Sequence, residues 1–355
     1  MKITNIKFEK LKFKLKKPVV VAFATIDSAE TIIVKIETDE GIYGFGEASP
    51  FGPVTGETLD TVAVVLDMFK KNLVGMNPLK IEKIHYKMNN IILGNSSAKA
   101  SIDIAVHDIL GKVMNQPLYK VLGGYSNKIQ TDITIGIDRP EIMAKEAVAH
   151  VKNGFNILKL KAGKNAKDDI LATKLIREAV GENIRLRMDA NQGWDVNTSI
   201  NTLYELEKYN MEAVEQCLPY WDIDGSAQIK KRSNIKIMLD ESIHTPVDAM
   251  NAIKKDAADI LNIKLMKSSG IYPAVQINSI AQASGVTCML GCMLETKVGI
   301  TASASLIAAK KNIIEADVDS FMMIEEDERI MGGFKMEKDT ITLSEKPGLG
   351  IELNM

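Results

Sequence analysis

Five charged side chains carry the chemistry that can be read from this sequence: Lys161, Asp189, Glu215, Asp240 and Lys264. Each closes a short apolar run. Successive members lie roughly 25 residues apart, the length of one strand–helix unit. Neighbouring strands stand about 4.8 Å apart, so three acids from successive strand ends can meet at one point. Carboxylates that close repel one another and call for a cation. Oxygen donors without His or Cys select a hard ion, here one Mg²⁺ per chain held by Asp189, Glu215 and Asp240. His85, His107, His150 and His244 share no ligand spacing, and none ends an expected strand.

The lysines complete the set. Lys159 and Lys161 are two apart on a strand and point the same way. Lys264 ends the strand after Asp240, so in a closed ring it stands across from Lys161. A free lysine has a pKa near 10.4, leaving about one in 2500 neutral at pH 7. A general base needs a lower value, which Lys159 and a divalent cation favour by their charge. One lysine then removes a proton from a carbon next to a carboxylate. The other returns a proton to the opposite face, and the centre inverts.

The elements that must position these groups follow from hydrophobic period. Ile3, Ile6, Phe8, Leu11, Phe13 and Leu15 alternate roughly. Thr31–Thr38 and Gly41–Gly46 flank an Asp39-Glu40-Gly41 turn, which reads as an antiparallel sheet. Val62, Val65, Leu66 and Phe69, then Ile102, Ala105, Val106, Ile109 and Leu110, recur at helical spacing. Residues 1–125 are therefore expected to form an α+β capping domain. Strands are expected at Asp132–Ile137, Ile157–Lys161, Ile184–Asp189, Ala213–Glu215, Ile235–Asp240, Ile260–Lys264, Val286–Leu290 and Ile313–Asp317, with helices between. Such a series closes into a (β/α)8-type barrel, a modified TIM barrel of the α/β class, over residues 126–324. The tail, residues 325–355, is expected to return to the cap through a hairpin of Gly332–Met336 and Thr340–Leu343.

Composition excludes other classes. The chain has 355 residues, 46% hydrophobic and 25% charged, with a formal net charge of −2, which suits a globular protein and not a nucleic-acid binder. No apolar run approaches the roughly 18 residues of a membrane span. Lys10–Lys17 marks a solvated strand face, not a membrane patch. The N-terminal lysines interrupt every apolar stretch, so that segment reads as strand and not as a signal peptide. Cys217, Cys288 and Cys292 are odd in number and lack a zinc-site partner pair, so they are expected as buried reduced thiols of a cytoplasmic protein. Gly44-Phe-Gly46 lacks the third glycine of a dinucleotide fingerprint. Trp194 and Trp221 follow two of the strands, and the sequence does not decide between shaping the mouth and packing on helices.

Lys159-Leu-Lys161, Arg187-Met-Asp189-Ala-Asn-Gln-Gly-Trp194, Val214-Glu215-Gln216, Leu239-Asp240-Glu241-Ser242 and Asn262-Ile-Lys264 resemble the enolase superfamily, muconate-lactonizing subgroup. Gly44–Ala48 and Asn95–Ala100 extend the resemblance into the first domain. Asp317-Val-Asp319 is similar to the Asp-x-Asp of dipeptide epimerases such as the L-Ala-D/L-Glu enzymes. The resemblance implies a Mg²⁺-dependent epimerase that inverts the α-carbon of a dipeptide's second residue. It also implies Lys161 and Lys264 as catalytic residues, with Asp189, Glu215 and Asp240 on the metal. Lys159, Thr134, Cys292, Leu294, Asp317, Asp319 and Ala24 are the implied substrate contacts. Asp317 and Asp319 suit the free ammonium of a dipeptide. A homo-oligomer with a small-molecule partner is expected. Cycloisomerases and o-succinylbenzoate synthases would use the same lysines on another acid. A Schiff-base aldolase is the alternative outside the superfamily.

One departure stands out. The L-Ala-D/L-Glu enzymes place an arginine in the mobile N-terminal loop, where this chain has Ala24. The surrounding Val21-Ala-Phe-Ala-Thr-Ile26 is apolar. A side-chain carboxylate would be poorly held there, so a hydrophobic or aromatic second residue is expected, with Phe23, Ile26 and Phe51 as contacts.

Overall fold

The computed structural model describes residues 1–325 and 327–354; Glu326 and Met355, both in the expected tail, lie outside the described residues. Three strands, β1 (Ile3–Val20), β2 (Thr25–Thr38) and β3 (Tyr43–Ala48), form an antiparallel sheet. Helices Leu59–Leu73, Ile81–Ile91 and Ser96–Val113 follow. Leu59–Leu73 starts on a Thr58–Thr61 capping box and buries Val62, Val65, Leu66, Phe69 and Leu73, the 3.6-residue stripe of the sequence. Each such side chain contributes about 1.5–3 kcal/mol by leaving water. Gly44 and Gly46 have a steric purpose. A Cβ at either would strike the carbonyls of Ala105 and Ser101, so only glycine lets helix Ser96–Val113 lie this close to β3.

Eight parallel strands build the barrel. In chain order after β4 (Lys128–Gln130) they are β5 (Ile133–Ile135), β6 (Ile157–Lys161), β7 (Arg185–Asp189), β8 (Met211–Glu215), β9 (Lys236–Leu239), β10 (Ile260–Lys264), β11 (Thr287–Gly291) and β12 (Ile313–Asp317). They pair in sequence order, β5 to β12. The ring closes through the Asp132 N–H to the Ala316 carbonyl (3.3 Å) and the Val318 N–H to Thr131 Oγ1 (3.0 Å). The expected strand at Asp132–Ile137 shrinks to three residues, and Asp240 falls one residue beyond β9.

The tail holds β13 (Ile330–Gly332), β14 (Phe334–Glu337), β15 (Thr340–Leu343) and β16 (Ile351–Leu353). The hairpin exists as β14–β15, but its third strand is β4 beside the barrel, and β13 pairs with β16. The hairpin strands thus pair beside the barrel, where a return to the cap was expected. The tail meets the first domain elsewhere, through Arg329 on Glu9 (3.0 Å) and the Leu349 N–H on Asp108 (2.8 Å).

A buried carboxylate joins cap to barrel. Glu47 on β3 accepts from Thr31 Oγ1 (2.7 Å), the Thr296 N–H (2.8 Å) and the Gly299 N–H (2.7 Å). It thereby satisfies the free N–H groups that open helix Lys297–Ala309. Among the described residues no helix is long and apolar enough to cross a membrane.

Candidate active site

The C-terminal ends of the barrel strands and the cap enclose a cavity of about 330 Å³. Asp189 ends β7 and Glu215 ends β8 directly beside it in register, while Asp240 follows β9. All three are buried. Lys161 ends β6 and Lys264 ends β10, four strand positions apart in a ring of eight, so their stems rise from opposite sides. Both line the cavity, together with Asp240, Asp317 and Asp319.

Ion pairs bind these groups into one lattice. Lys161 Nζ lies 2.7 Å from Asp189 Oδ2 and Lys264 Nζ lies 2.8 Å from Asp240 Oδ2. Lys159 Nζ holds three acids: Asp317 (2.7 Å), Glu215 (2.8 Å) and Asp189 (3.1 Å). Burial works against the Asp189 charge, but the Lys161 and Lys159 ammoniums outweigh it and hold the carboxyl at about 2. Burial and the Asp189 charge push Glu215 up to about 7. Burial and Asp240 push Glu241 up to about 8.

The donors fit a hard divalent ion. Asp189, Glu215 and Asp240 offer oxygen alone. Ammonium groups now sit on these carboxylates, where cationic charge is called for. Three further buried oxygens beside the acids, Asn191 Oδ1, Glu241 Oε2 and Asn262 Oδ1, have no protein partner. Asn191 Nδ2 reaches Glu241 (3.3 Å) and Asn262 Nδ2 reaches Glu215 (2.6 Å), which orients both acids.

The lysines differ in charge state. Burial disfavours the Lys159 cation, but Asp317, Glu215 and Asp189 raise its pKa well above the ordinary lysine value. It is therefore a fixed positive charge. Burial also works against Lys264, and Asp240 overrides it upward. The expected lowering of a lysine pKa is thus absent at Lys264 while its ammonium pairs with Asp240.

Asp317, Asp319 and Cys292 form a second acidic group, with one potential ligand atom of each within 4.8 Å of the others, and Asp317 shares Lys159 with Asp189 and Glu215. Asp319 Oδ2 accepts the Thr134 N–H (2.7 Å), and Asp317 is tied to Lys159. Burial and the adjacent carboxylates Glu295, Asp317 and Asp319 raise the Cys292 thiol, so it remains neutral. The cluster is a cradle of acceptors suited to an ammonium. Thr134 and Leu294 line the same cavity.

Ala24 does not reach the cavity lining. Its carbonyl accepts the Val21 N–H (3.0 Å) in the turn between β1 and β2. Phe23 and Ile26 line the wall instead, and Phe23 sits 6.1 Å from Phe51, ring centre to ring centre. Lys159 lies below the lining, its donors engaged by acids. Lys161 and Lys264 are the cations of the lining among the described residues; Glu30 and Glu57 add negative charge on the cap side. Trp194 is buried and donates to Asp169 (3.3 Å), whereas Trp221 is 69% exposed. The three cysteines are free and buried.

Sequence reasoning gave Asn191, Gln216, Glu241 and Asn262 no role beyond their place in the motifs, and it passed over Lys267. Gln216 Oε1 accepts the Asp240 N–H (2.9 Å) and fixes the turn after β9. Asn191, Gln192 and Gln216 have positive φ (41°, 66° and 38°), an uncommon conformation outside glycine that turns the chain sharply at the mouth.

A family model described as enolase C-terminal domain-like matches residues 142–355. Another, for the mandelate racemase / muconate lactonizing enzyme N-terminal domain, matches residues 3–123. A hydrophobic dipeptide epimerase of Enterococcus faecalis is 44% identical over 353 residues, 99% of each chain. An L-Ala-D/L-Glu epimerase of Clostridium acetobutylicum is 42% identical over 355 residues, again 99% of each. The crystal structure of an Enterococcus faecalis dipeptide epimerase complexed with Mg and L-Leu-L-Tyr matches with a TM-score of 0.97 and 44% identity. It covers 99% of this chain and 100% of that one.

Proposed function

The chain belongs to the mandelate racemase / muconate lactonizing enzyme family of the enolase superfamily, and on that premise we propose that it is a Mg²⁺-dependent dipeptide epimerase. The observation that carries this reading is the pair of lysines from opposite strands facing one cavity that also holds an acidic cradle. Asp317 and Asp319 bind the ammonium of the first residue. The α-carbon of the second residue lies between Lys161 and Lys264. One lysine takes its proton and the other delivers a proton from the far side, which inverts the centre.

Asp189, Glu215 and Asp240 hold the cation. Mg²⁺ bound there supplies positive charge that draws the substrate carboxylate, offsets the charge building on it during proton loss, and competes for the Asp240 charge that now keeps Lys264 protonated. Lys159, permanently charged, adds to the same electrostatic stabilisation from below.

The second residue is hydrophobic or aromatic. Its side chain meets Phe23, Ile26 and Phe51, with no arginine or lysine of the cap in the lining. A glutamate there would lose its water without gaining a cation. The L-Ala-D/L-Glu reading is the alternative, motivated by the Clostridium relative. A dipeptide library incubated with enzyme in D₂O tests both. One mass unit should be gained by dipeptides with a hydrophobic second residue, lost with EDTA and restored by Mg²⁺. Exchange confined to Glu dipeptides would replace the hydrophobic reading, and no exchange with any dipeptide would refute the epimerase.

A further inference from the structure

Each of the two catalytic lysines shares its carboxylate with a second, more deeply buried lysine. At Asp189, Lys161 Nζ (2.7 Å) and Lys159 Nζ (3.1 Å) meet the same oxygen, Oδ2. At Asp240, Lys264 Nζ takes Oδ2 at 2.8 Å while Lys267 Nζ takes Oδ1. The cavity-lining member of each pair is the proposed base, and the other lies outside the lining. Lys159 has a place in the mechanism above. Lys267, its counterpart on the opposite side of the barrel, has none.

The Lys267 side chain is 0% exposed. Besides Asp240 Oδ1, its ammonium reaches the Asp240 backbone carbonyl and the Asn262 carbonyl (3.2 Å). Two hydrogen bonds to carbonyls and the ion pair with Asp240 Oδ1 leave the group little freedom. Its location explains the need. β9 and β10 pair only at Met238–Ile260 and Leu239–Leu261, and the ladder ends there. Asp240 lies just beyond the end of β9, while Asn262 stays within β10 and pairs with Met289 of β11. Burying an ammonium is costly unless it is paired and hydrogen-bonded, and this one is held by one carboxylate and two carbonyls.

We propose that Lys267 is a positioning residue that clamps Asp240, reserving Oδ1 for itself so that Asp240 meets the divalent ion through Oδ2 alone. The inference rests on the assignment of Asp240 to the cation. Lys264, which now holds Oδ2, is the lysine released toward the cavity when that oxygen is taken. The two lysines of this short segment thus divide the work into one fixed clamp and one movable base.

The test is Mn²⁺ binding to Lys267→Gln and to the unmodified protein, measured by calorimetry, with thermal unfolding in EDTA alongside. Orienting partners of metal ligands are typically worth about 10- to 100-fold in metal affinity. A loss of that size is expected. Lys267→Gln that binds Mn²⁺ as tightly as the unmodified chain, whatever its unfolding temperature, overturns the inference and leaves Lys267 a merely structural staple. Failure of the unmodified chain to bind Mn²⁺ instead refutes the metal site itself. Should the variant not fold, the crystal structure of the unmodified Mn²⁺-loaded protein decides. Lys267 Nζ retained on Asp240 Oδ1 supports the clamp, and a cation chelated by both Asp240 oxygens with Lys267 displaced contradicts it.

Discussion

The barrel interior is charged at both ends, and the two ends are built from different cations. At the base, Arg187 donates Nε to Glu212 (3.1 Å) and Nη1 to Asp132 (3.2 Å), with Nη2 on Glu315. Arg185 bridges Glu212 and Glu315. At the mouth, lysines 159, 161, 264 and 267 meet the acids instead. Guanidinium is a planar fork that keeps its proton under all ordinary conditions. Ammonium is a point charge whose pKa moves with its surroundings. A region meant only to hold together does well with arginine. A region that must pass protons needs lysine.

The comparison can be broken first at the mouth. Lys161→Ala and Lys264→Ala should each lower epimerisation by at least the roughly 10²- to 10⁴-fold that a positioned acid or base contributes. Their thermal unfolding should stay close to that of the parent. Turnover by either variant at the parent rate ends the functional half of the contrast. At the base the effect should reverse in kind. Arg187→Met leaves Asp132 buried without its cation and Glu315 with Arg185 alone, and should cost about 3–5 kcal/mol of stability, read by urea unfolding. A stability unchanged by that substitution would show that the base network holds little together.

A smaller effect sharpens the picture of the cap side of the mouth. Phe51→Ala should reduce turnover of L-Ala-L-Phe while leaving the poor turnover of L-Ala-L-Glu nearly as it is. Equal loss for both would move Phe51 out of the subsite and into the cap core.

The smallest concerns the seam between cap and barrel. Burial, with Glu47 nearby, pushes Glu295 up to about 8 from an ordinary 4.5. The folded chain therefore keeps a proton there that the unfolded chain has released. Stability falls from this source as pH rises from 4.5 toward 8. Glu295→Gln should unfold like the parent near pH 4.5 and at a higher temperature than the parent near pH 8. A parallel pH dependence in both would place the titration elsewhere.

Much of this was legible because each barrel strand is a short apolar run ended by a charge. Ile157–Lys161, Ile260–Lys264 and Ile313–Asp317 stand where the pattern puts them. Asp240 shows the limit of that signal. Its side chain belongs to the mouth, but the ladder stops at Leu239, since strand pairing and side-chain burial end at different residues. Lys267 was not legible. Three residues past a strand end, a lysine reads as surface charge, and only the fold reveals the two backbone carbonyls that hold it. Ala24 came from a family position, and in the fold it lies in the β1–β2 turn, where its carbonyl accepts the Val21 N–H. The β4 partner of the tail hairpin was invisible because a three-residue strand has too little period to register.

The central claim is that two amines address one carbon from opposite faces. It is tested most directly by solvent deuterium exchange into separate L,L and L,D dipeptides with the Lys161→Ala and Lys264→Ala variants. The account predicts reciprocal behaviour, each variant exchanging the α-proton of one diastereomer only and the two variants choosing different ones. Exchange of the same diastereomer by both variants would contradict it.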